Sequence, residues 1–72
     1  MDIEKVFVSS SNVEAVGYDE DSQILRVWFL NGSVYDYKGV SQLEFEGLRD
    51  APSVGSYLHR NIKGQYSYEK VG

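Results

Sequence analysis

Asn31-Gly32 stands between two alternating runs, Ile24–Leu30 and Ser33–Lys38, and this pair constrains the chain more than any other feature. Asn-Gly flanked by alternating apolar residues is a strong short-range signal for a β-hairpin. The hairpin decides which side chains share a face, and so whether Tyr35 and Tyr37 are core or surface. Two registers fit. A two-residue type I′ turn sets Trp28 opposite Tyr35 and puts both tyrosines on the face away from Leu25, Val27 and Phe29. A three-residue loop, Leu30-Asn31-Gly32 with Gly32 in the left-handed region, sets Phe29 opposite Ser33, Val27 opposite Tyr35 and Leu25 opposite Tyr37. Arg26 then meets Asp36 and Trp28 meets Val34. The second register separates apolar from polar far better, and register follows the hydrophobic pattern wherever one face is buried. The tyrosines are then mostly core, and Trp28 is the aromatic left for exposure.

The flanking segments complete a small α+β domain spanning residues 1–72. Val13–Tyr18 alternates weakly and reads as a strand, with Lys5–Val8 as a short edge strand before it. Asp19-Glu20-Asp21-Ser22 is an acidic turn, and it lacks the downstream oxygen ligands of a calcium loop. Beyond Val40 the period lengthens. Ser41 followed by Glu44 is a capping-box pattern, and Phe45, Leu48 and Ala51 form one apolar stripe. Gly47 inside that stripe costs about 1 kcal/mol against alanine, so the helix needs tertiary support. Pro52 separates it from a second helix capped by Ser53, with Val54, Tyr57, Leu58 and Ile62 on one face. Gly64 suits the left-handed C-terminal position. Gln65–Lys70 alternates again, with Tyr66 and Tyr68 on one face, and reads as a final strand. The expected fold is a small antiparallel β-meander with two short helices on one face and a C-terminal strand.

Composition narrows the function classes. A chain of 72 residues without cysteine has no disulfide or thiolate metal site, so its stability must come from packing. The single His59 cannot build a zinc site alone, and no cofactor or metal is implied. No run approaches a membrane span and no signal peptide opens the chain, which points to the cytoplasm and to no membrane partner. The formal net charge of −4 argues against broad nonspecific nucleic-acid binding. The charge is uneven, however. Residues 1–37 hold seven acids and two bases (net −5), residues 38–72 four acids and five bases (net +1), so an anion-binding surface belongs to the second half.

Three motifs run in order along the chain: V-x-F-x-N-G-x-V-Y-x-Y from Val27 to Tyr37, V-x-x-x-x-F-x-x-L-x-x-A-x-S-x-G-x-Y from Val40 to Tyr57, and N-I-K-x-x-Y from Asn61 to Tyr66. Together they resemble the KTSC domain, which occurs at the C-terminus of some lysyl-tRNA synthetases and as a small stand-alone bacterial protein. The family often has proline after the valine that opens the first helix, where this chain has Ser41. The resemblance implies the α+β fold above and, through the synthetase context, RNA as a partner. These 72 residues hold no synthetase catalytic body, so aminoacylation is not expected of them.

The residues offer one site-like region. Ser53, Val54 and Gly55 start a helix, where free N–H groups and the helix dipole favour an anion. Arg60 and Lys63 project one turn apart farther along, able to touch successive phosphates of a strand. Tyr66 and Trp28 are candidates for stacking on bases. The alternative is an ordinary capped helix with solvated bases. Catalysis is not expected: the Ser, His and Asp types form no recognisable motif, and the chain is too small to enclose a deep pocket beside its core. The leading reading is a non-catalytic module for RNA or single-stranded nucleic acid. Its rival is a protein-interaction or homo-oligomerisation domain using exposed aromatics, as a monomer or weak homodimer.

Overall fold

The computed structural model describes residues 3–72. Five strands, β1 (Val6–Phe7), β2 (Val13–Asp19), β3 (Ile24–Phe29), β4 (Val34–Lys38) and β5 (Tyr68–Lys70), form one antiparallel sheet in sequence order. Between β4 and β5 come α1 (Gln42–Arg49) and α2 (Val54–Tyr57), the latter running directly into a π-helical turn over Leu58–Ile62.

The hairpin adopts the three-residue loop. Val27 pairs with Tyr35, Leu25 with Tyr37, Arg26 with Asp36 and Trp28 with Val34. Gly32 has φ +93° and donates its N–H to the Phe29 carbonyl at 3.0 Å, while Phe29 donates to Ser33 at 2.8 Å. Local preference for a two-residue turn yields here because a slip would carry Leu25 and Val27, both 0% exposed, off the core. On the opposite face the register joins Arg26 to Asp36 in a two-pronged ion pair, Nε–Oδ1 2.7 Å and Nη2–Oδ2 2.9 Å.

A bulge between Val13 and Ala15 changes the expected alternation of β2. Val13 joins Val16 and Tyr18 toward the helices, whereas Ala15 and Gly17 face away opposite Trp28 and Arg26. The core then gathers Val13, Val16, Leu25, Val27 and Tyr37 from the sheet against Phe45, Leu48, Val54, Leu58 and Ile62 from the helical segments. Tyr18 stacks on Phe45 with ring centroids 5.2 Å apart and donates its hydroxyl to the Val40 carbonyl at 2.5 Å.

Ser41 caps α1 by accepting the Glu44 N–H at 3.2 Å. The Glu44 carboxylate accepts hydrogen bonds from the hydroxyls of Tyr57 and, at 3.2 Å, Tyr66. This carboxylate joins α1 to α2 and to the approach to β5. It also explains Gly47. A β-carbon there would lie 2.6 Å from the Tyr57 hydroxyl oxygen, so the smallest residue lets that ring cross the helix.

Two further expectations change. Tyr66 precedes β5 and turns half-buried toward Glu44, so it does not share a strand face with Tyr68. Trp28 is half-buried instead of exposed, with the Lys5 ammonium 5.2 Å from its ring.

Candidate functional site

The second helix is built in two parts, and the join positions a lysine. Ser53 caps its start by accepting the Ser56 N–H at 3.3 Å. Leu58 and Ile62 are both buried, and the backbone widens between them, so that Lys63 N–H reaches back five residues to the Leu58 carbonyl at 2.9 Å. Such π turns recur at functional sites because they re-aim the residues that follow. Here Lys63 leaves the turn in extended conformation and Gly64 reverses the chain with φ +81°. The lysine reaches over the sheet, its ammonium 5.4 Å from the centroid of Phe29.

Phe29 belongs to an aromatic group on the sheet face beside the helices. Its ring meets Tyr35 edge-on at 5.7 Å, and Tyr35 in turn meets Tyr68 at 5.8 Å. Tyr37, only 4% exposed, closes the floor as core. Tyr35 is half-buried and Tyr68 is 64% exposed, so the group grades from core to solvent. With Asn12, Asn31 and Lys63 it forms an open groove of 690 Å³. That is within the usual range for small-ligand sites, about 300–1,000 Å³.

A second, more polar groove of 760 Å³ adjoins it, lined by Ser53, Gly55, His59 and Arg60 facing the Ser9–Asn12 segment. Ser11 and Asn12 line both grooves and form the saddle between them. Among the described residues, neither lining includes an aspartate or glutamate, in a chain with eleven. Lys5, Arg26, Lys38 and Arg49 each sit against a carboxylate. Arg60 and Lys63 have no such ion pair among the described residues, so their charge is free to face an anion.

The structure thus brings Ser53, Gly55, Arg60 and Lys63 onto one continuous surface, and leaves Tyr66 and Trp28 off it. Trp28 is on the far face of the sheet, and Tyr66 is held by Glu44. The start of α2 is also less open than its sequence suggests. A β-carbon on Gly55 would come within 2.8 Å of the Asn12 side-chain oxygen, so glycine is needed for the loop to approach the helix. Phe29, Tyr68 and Asn12 are the residues that sequence reasoning missed. The favoured hairpin register already set Phe29 and Tyr35 on one face, but nothing local placed Asn12 or Tyr68 beside them.

A family model described as the KTSC domain matches residues 9–66. The chain is 41% identical over 61 residues to a lysine–tRNA ligase of Nostoc sp., covering 85% of this chain and 11% of the ligase. It is 33% identical over 70 residues to a protein of Stutzerimonas stutzeri, covering 96% of this chain and 99% of that one. The crystal structure of a KTSC domain protein from Yersinia pestis superposes with a TM-score of 0.92 at 32% identity, covering 99% of this chain and 100% of that one. The chain therefore spans only about a tenth of the length of the ligases it matches. Among the described residues, no helix is long and apolar enough to cross a membrane.

Proposed function

The chain belongs to the KTSC domain family, and from that premise we propose that it is a non-catalytic module that binds RNA or other single-stranded nucleic acid along the two joined grooves. One observation carries this reading: in an acidic chain of net charge −4, both groove linings are without carboxylates among the described residues, and Arg60 and Lys63, without an ion pair among those residues, are placed there. Repulsion from eleven acids would otherwise oppose a polyanion. Phe29, Tyr35 and Tyr68 add rings to the groove that holds Lys63, and that is the combination single strands use, stacking with phosphate contact. The kinship to part of a lysine–tRNA ligase supports RNA over DNA as the natural partner.

Titration of the isotope-labelled protein with short single-stranded RNA at low salt tests the proposal. Amide shifts are expected in residues 9–12, 29–35 and 53–68. Their absence at millimolar RNA would reject it.

A further inference from the structure

Two carboxamides in the aromatic groove have their orientation set by their own loops. The Ser10 hydroxyl oxygen accepts N–H groups from Asn12 at 3.3 Å and Val13 at 3.2 Å, so its proton is left to donate to Asn12 Oδ1 at 3.1 Å. Asn31 Oδ1 likewise accepts the Ser33 N–H at 2.9 Å, closing the hairpin loop. The Asn31 oxygen is thus engaged by the backbone of its own turn and the Asn12 oxygen by the Ser10 hydroxyl, which leaves each NH2 group with two N–H donors. Both line the same groove as Lys63, whose ammonium also only donates. These three side chains therefore offer donors, and among the described residues no carboxylate lines the groove to offset them. Tyrosine and serine hydroxyls serve either way and do not discriminate.

Resting on the nucleic-acid reading above, we propose that this groove is a subsite for one unpaired base that carries a carbonyl oxygen at the 4/6 position, O4 of uracil or O6 of guanine. The ring lies against Tyr35 and Tyr68, its carbonyl edge meets Asn12 and Asn31, and the adjoining phosphate meets Lys63. Arg60, across the Asn12 saddle, takes a neighbouring phosphate. Adenine N6 and cytosine N4 place an NH2 where guanine O6 and uracil O4 place the carbonyl, so donor would face donor at that position, a repulsive element of the kind that generates specificity. A base within a duplex has this edge occupied by its partner and its faces stacked, so only an unpaired base enters.

Fluorescence anisotropy with six-nucleotide oligo(U), oligo(C) and oligo(A) at one low salt concentration tests the subsite. Oligo(U) is expected to bind about tenfold more tightly than oligo(A), the size of a good hydrogen-bonded base contact. Self-stacking of oligo(A) could mimic that preference, so the variants decide. Asn31→Ala should bring oligo(U) down toward oligo(A) without weakening oligo(A), and Asn12→Ala should do the same, with thermal unfolding confirming that each variant is folded. Tyr68→Ala should weaken all three oligonucleotides by about tenfold, since stacking is sequence-tolerant. Equal binding of the three by the unmodified protein, or a preference that survives both asparagine variants, overturns the base subsite and leaves nucleic-acid binding standing. No binding of any oligonucleotide overturns both.

Discussion

The Lys63 ammonium lies 5.4 Å from the centre of the Phe29 ring, carried there by a π turn that ends the second helix. This one contact joins the end of the helical layer to the aromatic end of the sheet. Its loss should be felt weakly in stability, because Lys63 is exposed and a cation over a ring contributes about 0.5–1 kcal/mol at exposed sites. Lys63→Ala is expected to lower urea-unfolding stability by that amount. Arg60→Ala, with neither ring nor carboxylate partner among the described residues, should leave it unchanged within about 0.5 kcal/mol.

The tyrosines of the sheet should separate by burial. Tyr37 is 4% exposed and Tyr68 64% exposed, although they pair across adjacent strands with rings 5.9 Å apart. Tyr37→Ala is expected to cost about 3–5 kcal/mol, as for a large core ring removed. Tyr68→Ala should cost about 1 kcal/mol, the scale of a cross-strand aromatic pair. Denaturant midpoints measured side by side check the ordering; a Tyr37→Ala protein as stable as Tyr68→Ala would refute the burial assignment.

Gly47→Ala should fail to stabilise α1. Intrinsic propensity alone favours alanine by about 1 kcal/mol. The new methyl would displace the Tyr57 hydroxyl from Glu44, and a hydrogen bond to a charged group contributes about 1.5–3 kcal/mol, less where solvent reaches it. A net loss near 1 kcal/mol is expected. In a Gly47→Ala, Tyr57→Phe double variant the alanine should cost less, because the oxygen it strikes is gone. Calorimetric melting of the four proteins in the cycle measures the coupling.

Alkaline pH should loosen the same junction. The hydrogen bond to the Glu44 carboxylate, helped by burial and by the carboxylate's charge, pushes the Tyr57 hydroxyl up from 10.0 to about 12. A group whose pKa is raised on folding contributes its full stability below the unfolded value and loses it as pH passes the folded value. Stability should therefore fall between pH 10.0 and about 12. Tyr57→Phe should remove part of that fall while lowering stability at neutral pH. Unfolding midpoints across the range, with phenolate absorbance followed in parallel, check both signs.

Much of the fold was legible in the sequence, and for a physical reason in each case. The loop at Gly32 followed from keeping Leu25, Val27 and Phe29 on one face, and the caps at Ser41 and Ser53 from their hydroxyls. What stayed hidden depends on contacts distant in sequence. The bulge that moves Val13 to the core face leaves no mark in a weakly alternating strand. Glu44 reads as a capping residue, yet its carboxylate serves Tyr57 and Tyr66, thirteen and twenty-two residues away. The π turn has an ordinary helical pattern, because Leu58 and Ile62 stand four apart in either form. The candidate site was half legible. Its cations stand out by charge asymmetry, but the rings beside Lys63 require the sheet, and nothing in the sequence pattern shows that Trp28 and Tyr66 lie off that surface.

The salt dependence of single-stranded RNA binding reports directly on whether Arg60 and Lys63 contact phosphate. The logarithm of the binding constant should fall linearly with the logarithm of salt concentration. Lys63→Ala and Arg60→Ala should each make that slope shallower by about 0.7, the increment for one phosphate contact on a single strand. Lys70→Ala, a cation outside both grooves and also without an ion pair among the described residues, should leave it as it was. Slopes identical in all four proteins would contradict the account, because RNA would then be bound somewhere other than the joined grooves.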